Sequence, residues 1–585
     1  MPVAFIAATM IVRRRAKTHR LQMWIANNKF VAEEEWAAMS SISSHSTSED
    51  RSSDDASASS TSPRPSRMTA TGNFLRSPEG KAAILGVVGA VCITFGGFGA
   101  GSVRRRDPLL EEMHLSWLRF GHGFVLSTII VWVGVLLMIT AWVRLGRATL
   151  HGRTTVGELR WIVPAWTAPL LLSVPMFSRD AYSYLAQGAL LRDGFDPYGV
   201  GPVANPGVLL DNVSNVWTTT TAPYGPLFLL LGRGITTLTG DNVIAGTMLL
   251  RLTMLPGLAL MMWAVPRLAK HLGGRATTAV WLAVLNPLVL IHLIGGVHNE
   301  LLMVGLMTAG IVLALEHRHV AGIALVAIAV AIKATAGLAL PFLVWIWMLH
   351  VRDKARAEGR TPPSPVLVFT KTAGIGASVF VAVFAVSSLV AGVGIGWLTA
   401  LSGSAKIINW LSLPTILAHL VTVGTSWFLD LRLDPVLYVM RLLCSIALVV
   451  ILAAAWWWGR KSERNAVKGI LIALVATVVL SPAALPWYYS WPLAIAAGFA
   501  LSRTTLMVLT GLSTWLMLVF QPDGAIGLYN IVHVALAVIA AVVAALALTR
   551  VDPLRLRSDR SREHRAVPNA PKNTAPEPSG DESTS

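Results

Sequence analysis

Apolar stretches recur along most of this 585-residue chain, each about 17–25 residues long, the length a helix needs to cross a ~30 Å hydrocarbon core. Backbone polar groups in lipid must be satisfied within a helix or a closed barrel. The stretches do not alternate polar with apolar residues, so they predict helices rather than barrel strands. Composition agrees: 54% of residues are hydrophobic and 14% charged, which excludes a soluble globule for most of the chain. Cys92 and Cys444, the only cysteines, both lie within apolar stretches. That excludes a disulfide framework and a cysteine-based zinc site.

A formal charge of +17 invites a nucleic-acid reading, and its distribution argues against one. Basic residues gather in short breaks: Arg144, Arg147, Arg153 and Arg160; Arg267, Lys270 and Arg275; Arg352, Lys354, Arg356 and Arg360; Arg460, Lys461, Arg464 and Lys468. The intervening breaks are richer in acids, Trp, Tyr, Pro and Gly. This alternation puts the basic loops in the cytoplasm. The excess charge is therefore a topology signal, with some attraction to anionic lipid.

Three regions follow. Residues 1–80 are expected to be a disordered cytoplasmic tail, because Ser40 to Ser66 is dominated by Ser, Thr, Asp and Pro and cannot bury a core. Met68 is a second candidate for the translation start. Residues 81–550 form the polytopic membrane domain, and the basic residues 551–585 form a second disordered cytoplasmic tail. Spans are expected near 82–102, 123–145, 160–178, 243–266, 277–296, 300–316, 319–335, 336–350, 366–393, 434–458, 466–484, 488–501, 504–520 and 527–549. The fold class is thus an all-α, multi-pass bundle of about 12–14 transmembrane helices in the plasma membrane, with short extracytoplasmic helices between them. Arg104, Arg105 and Arg106 fall on the outer side and depart from the charge rule. On this topology residues 179–242 and 394–433 face outward and both termini lie inside.

The stretch SRDAYSYLAQGALLRDGFDPYGVGP follows directly on Trp161–Phe177, which carries no ionisable group. Asp180 therefore stands at the outer edge of a span, beside aromatic residues. Its residue type fits two roles there. Asp is a favoured N-cap, and Ala181 to Arg192 reads as a short helix; Ser178 is an alternative cap that would leave Asp180 free. A carboxylate at the membrane face also suits the deprotonation of a sugar hydroxyl.

The run S-R-D-x-Y-S-Y-x-A-Q-G, then D-P-Y-x-x-G-P, then A-P-Y-G-P-L at 222–227, resembles the actinobacterial polyprenol-phosphate-mannose-dependent α-1,6-mannosyltransferases. These belong to the C-type superfamily of membrane glycosyltransferases. The similarity continues through N-P-L-V-L at 286–290, G-G-V-H-N-E at 295–300, I-K-A-T-A at 332–336, S-L-P-T at 412–415 and L-P-W-Y at 485–488. The ordered set spans roughly residues 80–550 and is more specific than any one motif.

The resemblance implies C-type glycosyltransferase architecture and Asp180 as the catalytic base. It implies polyprenyl-phospho-mannose as donor and a lipid-anchored α-1,6-mannan as acceptor. Reaction is expected at the outer face, with inversion from a β-linked donor to an α-mannoside. In many relatives this acid follows the first span; here it follows the third expected one.

Other polar residues have competing readings. Lys333 lies within an apolar run, where a snorkelling lysine is common, but its outward position favours contact with a donor phosphate. His298, Asn299 and Glu300 occupy an outer turn; alone they read as an ordinary polar loop, and with the resemblance as sugar-binding groups, Glu300 being a second acid. Tyr182, Tyr184, Tyr198, Tyr224, Trp487 and Tyr488 fit an interfacial aromatic belt as well as a substrate-stacking surface. Arg179 fits phosphate or lipid headgroups equally. Gln187 and Asp196 lie within the same motifs and complete the substrate-binding candidates. No acidic cluster points to a metal, and no cofactor is expected. The rival class is a lipid-linked-sugar flippase or secondary transporter, for which internal repeats and a mid-bilayer site are expected.

Overall fold

The computed structural model describes residues 74–550, the side chains of residues 402, 404 and 405 excepted. Among the described residues helices carry nearly all regular structure. Two isolated bridges, Gly273 with Phe499 and Phe520 with Ile526, build no sheet. The protein is an all-α, multi-pass membrane bundle. Residues 1–73 and 551–585, which hold most of the two expected tails, lie outside the described residues. The first span starts at Pro78, slightly before the expected boundary, because the Ser77 hydroxyl caps it by accepting the Gly80 N–H at 3.0 Å.

Among the described residues six helices are long and apolar enough to cross a bilayer: Pro78–Ala100, Gly121–Leu150, Val243–Leu272, Ala334–Ala357, Pro365–Ala391 and Leu433–Gly459. A seventh is bent by 42° where Ala276–Ala283 meets Pro287–Gly295. Pro287 has no N–H to donate at that joint, and the Asn286 side chain instead accepts the Leu288 N–H at 3.0 Å. Shorter helices stand at most of the other expected spans: Val156–Leu171, Glu300–Leu315, His319–Val330, Glu463–Leu480, Arg503–Leu518 and Ile531–Ala547. The expected span at 488–501 is the exception. It holds only the seven-residue helix Ser490–Ala496, about 10 Å long, which cannot cross a membrane.

Pro365–Ala391 and Leu433–Gly459 leave most of their apolar side chains exposed, as at Leu389 (81%) and Val449 (66%). Such faces suit lipid rather than water. Cys92 and Cys444 are free thiols.

The bundle has two chemically distinct ends. At one, basic side chains fasten helix termini to each other. Arg147 donates to the Ala547 carbonyl at 2.6 Å, Arg275 to that of Leu150 at 3.3 Å, and Arg503 to that of Thr549 at 3.1 Å. At the other end irregular backbone crosses over itself. Met176 N–H donates to Gly295 O at 3.1 Å, Phe177 N–H to Pro522 O at 2.8 Å, and the Ser102 hydroxyl to Asp523 O at 2.8 Å. The unexpected arginines belong to this second end. Arg104 is buried there and pairs with Asp107 at 2.6 Å, so it is structural rather than a loop charge.

Candidate active site

Asp180 opens the helix Asp180–Arg192 but does not cap it. Arg179 occupies the cap position without a side-chain bond to the helix N-terminus, and the Ser178 hydroxyl accepts the Asp180 N–H at 3.1 Å. The carboxylate is thereby left to face elsewhere: Trp217 Nε1–H donates to Asp180 Oδ1 at 3.2 Å. Burial pushes the Asp180 carboxyl up to about 6, and the negative Glu300 adds to the rise; Lys333 and the contacts with Ser178 and Trp217 oppose it.

Two close backbone approaches build the floor around it. The Asp180 helix crosses Pro226–Thr239 at Gly188 and Gly232, where a Cβ on Gly188 would sit 2.4 Å from the Gly232 backbone. Gly225 packs against Ala331 in the same way, its virtual Cβ 2.4 Å from the Ala331 carbonyl carbon. That approach lets Gly225 N–H donate to Ile332 O at 3.1 Å and Leu227 N–H to Ala331 O at 2.9 Å. The A-P-Y-G-P-L motif is thus docked on the I-K-A-T-A motif, and Tyr224 is carried beside Lys333.

Lys333 sits in extended backbone between His319–Val330 and the short turn Ala334–Ala339. Its ammonium donates to Glu300 Oε1 in a short ion pair. Aromatic rings complete its surroundings, with Tyr488 at 4.6 Å, Trp491 at 5.5 Å and Tyr224 at 5.9 Å from the ammonium. Glu300 is fully buried as the first residue of Glu300–Leu315. His298 lies between the two acids: its Nδ1 is 3.7 Å from Asp180 Oδ2 and 4.0 Å from Glu300 Oε2. Burial drives the His298 imidazole well below its usual range, so it stands neutral between them, stacked on Trp487 at 3.9 Å.

A cavity of about 160 Å³ opens on this cluster, lined by Asp180, Ser183, Gln187, Trp217, Tyr224, Lys333, Thr335, Ser481, Tyr488 and Trp491 among others. Several buried polar atoms here have no hydrogen-bond partner among the described residues: Gln187 Oε1, Ser183 Oγ, Thr335 Oγ1, Thr477 Oγ1, both Asn299 side-chain atoms and Glu300 Oε2. Such groups are costly to bury unless something polar meets them. Glu300 is paired with Lys333, whereas Asp180 makes no ion pair with a lysine or arginine among the described residues.

Asp180, Gln187, Tyr224, His298, Asn299, Glu300, Lys333, Trp487 and Tyr488 therefore come together at or around the cavity. Five other candidates do not line it. Arg179 spends its guanidinium on the Asn212 carbonyl at 2.9 Å and the Val103 carbonyl at 3.1 Å. Tyr182 donates its hydroxyl to Ser102 O at 2.6 Å, and Tyr198 donates to Tyr224 O at 2.9 Å. Tyr184 is buried edge-on against Tyr224 and Phe228. Asp196 accepts the Tyr198 N–H at 2.9 Å and shapes a turn. Trp217, Trp491, Ser183, Thr335 and Ser481 are lining residues that the sequence reading missed. Trp491 had a signal, since it lies one helical turn beyond the L-P-W-Y motif; Trp217 had none.

The bundle and this cavity define a multi-pass membrane protein with an acid-rich, aromatic site near one end of its spans. The family profile described as "Alpha-(1->6)-mannopyranosyltransferase, N-terminal domain" matches residues 83–349, and "MptB C-terminal domain" matches residues 414–550. The chain is 56% identical over 477 residues to alpha-(1->6)-mannopyranosyltransferase A of Mycobacterium tuberculosis, covering 82% of this chain and 91% of that protein. It is 38% identical over 486 residues to the Corynebacterium glutamicum protein of the same name, covering 81% and 99%. Against alpha-(1->6)-mannopyranosyltransferase B of C. glutamicum the identity is 28% over 451 residues, covering 71% and 72%. No solved structure matches. The chain belongs to the actinobacterial α-(1→6)-mannopyranosyltransferase family, and it is a membrane-embedded mannosyltransferase. The flippase or carrier reading gives way to that family.

Proposed function

We propose that this enzyme transfers mannose from polyprenyl-phospho-mannose to a growing α-1,6-mannan on a lipid anchor, at the outer face of the plasma membrane. The observation that carries the reading is the meeting of Asp180, Glu300 and Lys333, drawn from three separate motifs, at a single cavity near one end of the bundle.

Asp180 acts as general base. It accepts the proton of the acceptor's 6-hydroxyl as that oxygen attacks the anomeric carbon of the donor. The bond from that carbon to the phosphate oxygen breaks, and polyprenyl phosphate leaves with the electron pair. Attack from the face opposite the leaving group turns a β-linked donor into an α-mannoside. Trp217 supports the base by holding one carboxylate oxygen. Lys333 supplies positive charge for the departing phosphate, and Glu300 fixes the ammonium in place. Tyr224, Tyr488 and Trp491 form an apolar wall for the sugar face or the first prenyl units. Gln187, His298 and Asn299 are available to sugar hydroxyls.

The outward direction rests on charge distribution: the end opposite the cavity carries the basic loops, which favour the cytoplasm. The test is transfer in membranes from labelled polyprenyl-phospho-mannose to a short α-1,6-mannoside. Asp180→Asn should insert normally and lose about 10²–10⁴-fold in turnover. Near-normal turnover in that variant removes Asp180 from the mechanism. Transfer from GDP-mannose in membranes that cannot make the lipid donor refutes the donor assignment.

A further inference from the structure

At the end of the bundle away from the cavity, three imidazoles converge from two segments of chain. His317 lies in the turn after Glu300–Leu315, His319 opens His319–Val330, and His350 lies in Leu340–Ala357. One nitrogen from each lies within 4.8 Å of the others. His319 Nε2 and His350 Nδ1 are 2.7 Å apart. His350 Nε2 lies 2.7 Å from Oε1 of Glu463, the first residue of Glu463–Leu480.

We propose that His317, His319 and His350 bind a divalent transition-metal ion of the zinc type. A carboxylate accepts but cannot donate, so the Glu463 contact requires the proton of His350 on Nε2. The lone pair of His350 is then on Nδ1, facing His319 Nε2. With the His319 proton on Nδ1 instead of Nε2, two lone pairs point at one volume, the arrangement a metal bridges. A carboxylate on the far nitrogen of a ligating histidine is the usual outer partner of such a ligand, fixing its tautomer and raising its basicity.

Ring stacking holds the orientations, partly from outside the group and partly within it. Trp347 lies parallel to His319 at 5.1 Å and 3°, and His317 stacks on His350 at 3.9 Å and 25°. His317 reaches that position from a left-handed backbone, with φ of 62°. Tetrahedral zinc with imidazole ligands separates their nitrogens by roughly 3.3 Å. The His319–His350 pair therefore opens slightly, through the half-buried His319, and the wider contact closes by movement of the exposed His317. Three neutral nitrogens with no thiolate favour Zn²⁺, Co²⁺ or Ni²⁺ over Mg²⁺ or Ca²⁺.

The site would be structural. The helix from Glu300 to Leu315 has 16 residues, about 24 Å, so the metal lies far from the cavity. Yet the segments joined here are the distal ends of those that carry Glu300, Lys333 and Ser481 at the cavity. A metal would fix their relative register at one end while the substrate meets the other.

The test uses full-length protein with no polyhistidine tag, in detergent, stripped with a chelator and titrated with Zn²⁺ alone against a competing fluorescent chelator. One Zn²⁺ per chain is expected. Glu463→Ala should weaken it about 10–100-fold, and His319→Ala combined with His317→Ala should abolish it. Co²⁺ added to the wild-type protein should give an intense tetrahedral d–d band that Zn²⁺ removes, a readout that does not depend on any variant folding. Absence of that band, less than stoichiometric zinc in the wild type, or full zinc binding in the double variant overturns the proposal.

Discussion

Lys333 and Glu300 form an ion pair in which the carboxylate is fully buried and the lysine side chain is 13% exposed. They sit 33 residues apart, at the edges of two helices. Breaking a buried pair by removing one partner typically costs about 3–5 kcal/mol, because the other charge is left uncompensated. Lys333→Met should therefore lower the melting temperature sharply as well as abolish transfer. Glu300→Gln with Lys333→Met removes both charges and should recover most of the stability while transfer stays lost. The comparison of melting curves with turnover separates the two roles; equal recovery of both would show that Lys333 does no more than neutralise Glu300.

The raised Asp180 carboxyl sets a pH dependence for both activity and stability. A base must be ionised, so kcat/KM should fall as pH drops through about 6 rather than near the ordinary carboxylate value. For stability the sign is the reverse of the usual carboxylate. The folded state holds this proton more tightly than the unfolded chain, so the stabilising contribution is complete below the unfolded value and is lost as pH rises through about 6. Asp180→Asn should then be at least as stable as the wild type at pH 7.5, with its advantage gone by about pH 4. A melting temperature clearly below wild type at neutral pH would argue that the carboxylate is held by contacts stronger than its burial penalty.

Trp217 is the positioning residue for this base. Its N–H bond to Asp180 Oδ1 favours the ionised form. Trp217→Phe keeps the ring and deletes the donor, so the acid limb of the kcat/KM profile should move to higher pH. Turnover at a pH well above that limb should fall less than in Asp180→Asn. An unmoved limb would mean that Trp217 merely packs.

Much of this architecture was legible in the sequence because lipid enforces it. A helix in hydrocarbon announces itself by length and apolarity, so nearly every expected span has a helix in the structure. The 488–501 segment failed because an apolar run is also what a short buried helix shows, and Pro486 and Pro492 did not by themselves distinguish the two. At the site, motifs identified Asp180, Glu300 and Lys333, but proximity in sequence overstated their neighbours. Arg179 and Tyr182 flank Asp180, yet a helix turns successive side chains about 100° apart, and both point back into the 102–103 and 212 backbone. Trp217 reaches Asp180 through an irregular loop, where no periodicity marks it.

Arg179 gives the last expectation. Its guanidinium holds the Asn212 and Val103 carbonyls and faces away from the cavity, with Tyr182 beneath it at 5.1 Å. Those bonds tie the irregular connection before Asp180 to the loop that leads on to Trp217. Lysine retains the charge but cannot fork across two carbonyl groups. If Arg179 bound donor phosphate, Arg179→Lys should raise KM for the lipid donor while leaving the melting temperature near wild type. The hydrogen bonds predict the opposite division: a lower melting temperature, a fall in kcat as Trp217 and Asp180 lose register, and a donor KM changed less than twofold or so. Steady-state kinetics on the variant, together with its melting curve, decide between a phosphate ligand and a brace behind the base.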